Sequence, residues 1–239
     1  SIFNVVKKEF NIDLYKANFF AGQSLGEYTA LSCAGYIKCS DTIKILKLRG
    51  EAMQNSVPKG IGGMIAILAT TIKKVENIIF SNKKNCNVQI ANDNSDGQIV
   101  VSGKLKDLDI FAEILKSQGI RNIKLPVSAP FHCKLMSEAT KIMRDEINKI
   151  DFNKGYNVLM SNVTADSIKN IPDIKNLLIE QIESRVRWRE SIINMINNGV
   201  GNFIEIGPGK VLSGLIKRIN REVKVQSINN EEDIKNLSI

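Results

Sequence analysis

The sequence is poor in the side chains that hold metals. Histidine occurs once, at position 132, and cysteine four times, at 33, 39, 86 and 133. The cysteines form no CxxC pair, and one histidine cannot complete a zinc-finger spacing. Unpaired thiols fit a reducing compartment, so a cytoplasmic location is expected, or an organellar one in a eukaryote. No stretch approaches the ~20 apolar residues of a membrane span. Residues 1–10 are patterned as an amphipathic helix rather than a signal peptide. No initiating Met precedes them, and the expectation is a chain that starts within a longer protein. Arginines interleaved with aromatics are missing, so neither nucleic acid nor membrane is expected as a partner. There is no internal repeat, and no low-complexity segment beyond a bias to Lys and Asn.

What is present can build a core: 43% of the 239 residues are hydrophobic, enough for one domain with an insertion or for two small ones. The net charge of +8 comes from lysines spread evenly, a solvated surface that can still steer an acidic partner inward. Apolar spacing predicts a helix over 2–10, a short strand of buried type at 18–21 and a helix over 27–34. A further helix runs from an N-cap signal at Ser40-Asp41 to Gln54, and Val57-Pro58-Lys59-Gly60 breaks it. From 61 the texture changes. Strands at 64–68, 87–92, 98–103 and 120–127 alternate with helices over 71–80 and 105–118, the second closed by Gly119. The order β-α-β-β-α-β is a ferredoxin-like unit. It spans 61–126 and reads as an insertion in a larger α/β body made of 1–60 and 127–239. Helices over 135–150, 172–183, 188–197 and 210–219 complete that body, with strands at 156–163, 203–206 and 223–227.

Gly22-Gln23-Ser24-Leu25-Gly26 joins the first strand to the next helix. Strand, Gly-x-Ser-x-Gly, helix is the setting of a nucleophile elbow, although the same five residues also fit an ordinary turn. In an elbow the turn is sharp enough to call for glycine on both sides, because a Cβ would strike the neighbouring backbone. The serine then stands at the tip above a positive helix N-terminus. The Leu25 N–H is free there to donate to an oxyanion. A serine hydroxyl needs a base. The only imidazole is His132, in the loop Ser128-Ala129-Pro130-Phe131-His132-Cys133, with an ordinary pKa of about 6.5. A lone histidine also fits a packed core position. No Asp or Glu is marked by pattern as the third group that orients the imidazole, and a backbone carbonyl or an amide side chain can do that work. Arg49 has two readings: a surface arginine near a helix end, or a half-buried fork for a carboxylate. Gly207-Pro208-Gly209-Lys210 lacks the Walker spacing and reads as a strand-to-helix turn. Cys133 reads as a packing residue.

Six segments stand in one order along the chain: Gly22 to Tyr28, Arg49 to Gln54, Ser128 to Cys133, Ser161 to Ala165, Val186-Arg187-Trp188, and Glu205 to Leu212. With these the chain resembles the malonyl-CoA:acyl-carrier-protein transacylases over nearly its whole length. The resemblance implies an α/β fold, with a hydrolase-like parallel-sheet core carrying a ferredoxin-like subdomain. It makes Ser24 the acylated nucleophile, His132 its base, Leu25 an oxyanion donor and Arg49 the holder of the malonyl carboxylate. Gln181, seven residues before Trp188, is implied as the residue whose backbone carbonyl orients His132. Phe131 is expected to bar an α-methyl branch on the acyl group. No cofactor and no metal are implied, because the coenzyme A thioester is itself the substrate. The implied partners are malonyl-CoA and an acidic acyl carrier protein, the implied process is fatty-acid synthesis, and a monomer is expected.

Two features depart from the family. Gln23 stands where many members have His. The strand and Gly-Gln-Gly loop that open the family and supply a second oxyanion N–H have no match here, and the expectation is that this piece was cut away or lost. Three rivals stay open: a serine esterase or lipase with water as acceptor and a triad acid, a truncated module that only binds the carrier protein, and an acyltransferase domain of a polyketide synthase. The compact ending after Val225 favours a free-standing enzyme over the last.

Overall fold

The computed structural model describes residues 1–237 and has a mixed α/β fold. The first part holds α1 (Ile2–Lys8), β1 (Phe19–Phe20), α2 (Leu25–Cys33) and α3 (Cys39–Asn55). The second holds β2 (Gly62–Leu68), α4 (Ile72–Asn82), β3 (Val88–Ser95), β4 (Gln98–Lys104), α5 (Leu105–Ser117) and β5 (Asn122–Lys124). Next come α6 (Ser137–Lys149), β6 (Val158–Met160), β7 (Ser167–Ile168), α7 (Ile171–Glu180) and α8 (Trp188–Asn197). The last part is β8 (Asn202–Ile206), α9 (Val211–Ile219), β9 (Lys224–Ile228) and α10 (Glu231–Lys235). Among the described residues no helix is long and apolar enough to cross a membrane.

The second part forms a four-stranded antiparallel sheet in the order β3-β4-β2-β5. Side chains alternate between its faces, as a pleated strand requires. Ile65 and Ile67 of β2 join Val75 and Ile78 of α4 and Leu108, Phe111 and Leu115 of α5 in one core. Met64 and Ala66 belong to a smaller cluster on the opposite face, against which Phe131 packs. That face therefore meets the loop that carries His132.

The other strands fall into two groups. β1 pairs in parallel with β6, and β7 adds antiparallel to β6. β8 and β9 form a separate parallel pair. Side chains of α2, α3, α6 and α7 fill the largest core around Leu159. α8 and α9 pack with Met160 and Val223 in another.

Some ends differ from expectation. α3 begins at Cys39, before Ser40-Asp41, and is capped by neither side chain; Thr42 instead turns its hydroxyl back to the Lys38 carbonyl. β5 keeps only three residues of the stretch expected at 120–127. β7 and α10 were not expected. α10 is a single short turn set by a reciprocal cap between Asn230 and Asp233, a local signal that apolar periodicity does not register.

A clamp fixes the four-stranded sheet to α8. β3 bulges on either side of Asn92-Asp93 and bridges Val186 there. Asp93 is fully buried, and its carboxylate accepts from Arg189 Nε at 3.0 Å and Nη2 at 2.9 Å. Burial raises the Asp93 pKa and the Arg189 fork opposes that rise. Removing one partner strands the other charge. Asp93→Ala is expected to cost about 2 kcal/mol, softened by Asp96 lying near the same arginine. Urea unfolding checks this as a lower midpoint at an unchanged slope.

Candidate active site

Four residues separate the end of β1 from Leu25, the first residue of α2, so the chain must reverse sharply between them. Ser24 takes φ 52° and ψ −108°, a conformation L-residues avoid. Such a backbone costs on the order of 1–3 kcal/mol and persists only where its surroundings over-determine it. Asn162 supplies that restraint. Its Oδ1 accepts from the Ser24 N–H at 2.7 Å, and its Nδ2 donates to the Gly22 carbonyl at 2.8 Å, so one amide ties both ends of the turn. A Cβ on Gly22 would stand 2.0 Å from the Gly26 carbonyl carbon, which makes glycine obligatory at 22. The same argument fails at Gly26, where a Cβ would meet nothing within 4 Å.

Ser24 Oγ lies 2.7 Å from His132 Nε2, and His132 Nδ1 lies 2.9 Å from the Gln181 carbonyl oxygen. A carbonyl only accepts, so Nδ1 carries the ring proton and Nε2 offers its lone pair to the serine hydroxyl. This is the tautomer a general base needs. The ring is buried, and its pKa falls to about 4, first through burial and then through the Arg49 charge, against the opposing pull of the Gln181 and Ser184 backbone. The imidazole is therefore neutral and ready at pH 7.

Arg49 is not a surface residue near a helix end. α3 continues through Gly50 to Asn55, and the side chain is 6% exposed. Nη2 donates to Ser24 Oγ and to Gln181 Oε1, both at 2.9 Å. Among the described residues Nε has no hydrogen-bond partner and the guanidinium has no carboxylate in ion-pair range. Burial lowers its pKa, and the nearby Tyr28 and Glu27 oppose that. The site thus holds a buried cation to which no carboxylate of the described residues is paired.

The structure also brings in residues to which sequence reasoning gave no role. Glu27 is 2% exposed and accepts from Gln181 Nε2 at 2.6 Å. Burial pushes its pKa up to about 7, against its bonds to Gln181 and Asn162 and the Arg49 charge. An acid in a first helical turn reads in sequence as a partner of the helix dipole, so nothing marked it. Asn162 lay inside a quoted segment without a task. Gln23 donates to Asn94 Oδ1 at 2.7 Å and joins the elbow to β3.

The remaining candidates are placed as follows. The Leu25 N–H opens α2 and so has no intrahelical acceptor, which leaves it available beside Ser24. Phe131 packs its half-buried ring between two cores and accepts from Ser102 Oγ at 2.6 Å through its carbonyl. Cys133 donates to the Pro130 carbonyl, and burial pushes its thiol up to about 11, unsuited to a nucleophile. Gly207-Pro208-Gly209 is the turn between β8 and α9. The Glu205 carboxylate already caps the Leu212 and Ser213 N–H groups, so that helix start is no anion site. Chemically, a neutral imidazole, a strained serine, a helix-start N–H and a buried cation within one hydrogen bond of the hydroxyl suit acyl transfer from a group that carries its own anion.

A family model described as an acyl transferase domain matches residues 15–236. Over 219 residues the chain is 42% identical to the malonyl CoA-acyl carrier protein transacylase of Bacillus subtilis strain 168, covering 91% of this chain and 69% of that relative. The crystal structure of an acyl-carrier-protein-S-malonyltransferase from Bartonella henselae superposes with a TM-score of 0.94 at 38% identity, over 98% of this chain and 75% of the other. A malonyl-transacylase solved in complex with its type II PKS acyl-carrier protein gives a TM-score of 0.92 at 32% identity, over 98% of this chain and 74% of the other.

The depressed His132 pKa fixes a pH response. The folded imidazole takes up its proton only near pH 4. Labelling of Ser24 by a fluorophosphonate should therefore hold within about twofold from pH 7 to 5 and fall about tenfold per unit below 4. An unperturbed imidazole would lose about 25-fold between pH 7 and pH 5.

Proposed function

The chain belongs to the acyl transferase domain family, and on that premise we propose that it carries malonyl from malonyl-CoA to the pantetheine thiol of acyl carrier protein in fatty-acid synthesis. The observation that carries this reading is Ser24 Oγ held between His132 Nε2 and a buried Arg49 that lacks a carboxylate.

Malonyl-CoA seats its free carboxylate on the Arg49 guanidinium. His132 Nε2 takes the proton from Ser24 Oγ, which attacks the thioester carbon. The oxyanion of the tetrahedral intermediate faces the Leu25 N–H. The C–S bond breaks, coenzyme A leaves with the proton returned by His132, and malonyl-serine remains. The carrier thiol then gives its proton to the same imidazole, attacks the ester carbon and releases Ser24. This is ping-pong transfer. Gln181 ends α7 and presents a carbonyl to Nδ1 where a hydrolase would place a carboxylate. An imidazole backed by a carbonyl is a weaker base than one backed by an anion, and a thiol, with its pKa of about 8.5, needs less help than water. That favours transfer over the esterase reading.

Arg49 separates malonyl from acetyl, because an acetyl group leaves the buried guanidinium without an ionic partner. Phe131, the residue before His132 in the same loop, disfavours an α-methyl branch in this reading. In this reading the body made of 1–60 and 127–239 is the hydrolase-like catalytic part, and 61–126 is the ferredoxin-like subdomain. The βαββαβ order, with β2 between β4 and β5, supports that division. The reaction needs no cofactor, and we assign it to a monomer in the cytoplasm.

Intact-protein mass spectrometry with malonyl-CoA tests the reading. Wild type should gain one malonyl group and Ser24→Ala none, with fast release to carrier protein and slow release to water. Carrier binding without any mass gain would leave only a binding module. Arg49→Ala should lose about 100-fold in malonyl loading while acetyl loading holds or rises. An unchanged malonyl preference would remove Arg49 from the scheme.

A further inference from the structure

Glu27 is a carboxylate inside the site that the reaction above does not use. We propose that Glu27 is a positioning residue for acyl selectivity: it pins the Gln181 side-chain amide, and that amide aims the Arg49 guanidinium at the acyl carboxylate. This rests on the malonyl-transfer reading of the site.

The argument starts from the two-faced chemistry of an amide. Gln181 Oε1 can only accept and Nε2 can only donate. Oε1 faces Arg49 Nη2 at 2.9 Å. Were the amide rotated by half a turn, its N–H groups would face a cation that only donates, and the guanidinium would lose its rest. Rotation is opposed at the far end, where Nε2 meets acceptors alone: Glu27 Oε2 at 2.6 Å, the Ser24 carbonyl at 3.0 Å and Asn162 Oδ1 at 3.5 Å. Glu27 offers the shortest of these and the only charged one, and a charged acceptor makes the stronger bond. Its own place is set by the first turn of α2 and by the Asn162 N–H, 3.4 Å from each carboxylate oxygen.

The arrangement also explains why the carboxylate stands one residue away from the cation. A direct Glu27–Arg49 pair would spend the guanidinium on the protein. With a neutral amide between them, Glu27 orients the fork and leaves its charge for the substrate. The Gln181 backbone carbonyl holds His132 independently of the side chain, so a change at Glu27 should reach selectivity while sparing the serine–histidine step.

The test loads malonyl and acetyl groups onto Ser24 from their coenzyme A thioesters at pH 8, above the value of about 7 to which burial lifts Glu27. In Glu27→Ala the malonyl-to-acetyl ratio of kcat/KM should fall at least about tenfold, chiefly through KM for malonyl-CoA. Glu27→Gln keeps a carbonyl acceptor for Nε2 and should restore the ratio to within about threefold of wild type. On an Arg49→Ala background, Glu27→Ala should change the ratio by less than about twofold, because its effect runs through that arginine. Equal losses for both acyl groups, or a full effect without Arg49, would overturn the proposal in favour of a purely structural carboxylate. If Glu27→Ala does not fold, Gln181→Leu removes the middle link while keeping the backbone carbonyl, and a retained ratio there sinks the idea. A wild type that loads no malonyl would instead defeat the reading of the site itself.

Discussion

Polar groups buried at the centre of this molecule need partners in the absence of water, and Gln181 is where most of those needs meet. It is fully buried at the C-cap of α7. The last carbonyls of a helix have no intrahelical N–H to accept from, so the Gln181 oxygen is free to receive His132 Nδ1. Its side chain meanwhile joins Arg49 of α3 with Ser24 and Glu27 at the start of α2. Ser24, His132 and Arg49 come from distant parts of the sequence and are referred to one residue. A buried donor or acceptor left without a partner costs about 1–3 kcal/mol, so the set stands or falls together. The helix end also replaces an acid electrostatically. Its partial negative charge faces the ring that, in the proposed reaction, becomes an imidazolium.

The charge balance follows from the same geometry. Arg49 is a buried cation beside a neutral imidazole, and it helps keep that imidazole neutral. It also favours ionisation of Glu27, whose burial works the other way. With Glu27 ionised, one cation and one carboxylate stand separated by a neutral amide, and the guanidinium keeps no ionic partner of its own. In the proposed reaction that charge is left for an acyl carboxylate and finds no partner in a neutral acyl group.

Much of this was legible in the sequence, and the exceptions have physical causes. Period-2 and period-3.6 patterns located β2 to β5 and the helices between them, because those faces are buried. The sequence pattern calls for glycine at both ends of the elbow; this holds at Gly22 and fails at Gly26, because only a Cβ at 22 would strike backbone, that of Gly26 itself. Arg49 was open between two readings because a charged side chain near a helix end is as readily solvated as buried; it stands four residues from Ile45 and from Met53, both buried in the core, and so shares their face. Glu27 and the Gln181 side chain were invisible, because their tasks exist only where four segments converge. Gln181 itself was reached through resemblance and spacing, not through any pattern of its own.

The four-stranded sheet contributes no reacting atom, yet the site depends on it through backbone strain. His132, like Ser24, has a positive φ, here 58°. Asn162 restrains Ser24 locally, but the histidine sits in a loop and must be held from several sides. Ser128 donates to Gln54 of α3, and Ser102 of β4 donates to the Phe131 carbonyl. Gln89 of β3 accepts from the Lys134 N–H. Pro130 presses so closely on β2 that a Cβ at Gly62 would fall 2.4 Å from its ring. Two of these hydrogen bonds and the proline contact come from the sheet, which the Asp93–Arg189 clamp fixes to α8. A base held by one hydrogen bond could relax away from the serine; one held through a braced sheet keeps the 2.7 Å contact. The sheet thus braces the loop in which His132 holds its positive φ, and so the imidazole's aim at the hydroxyl.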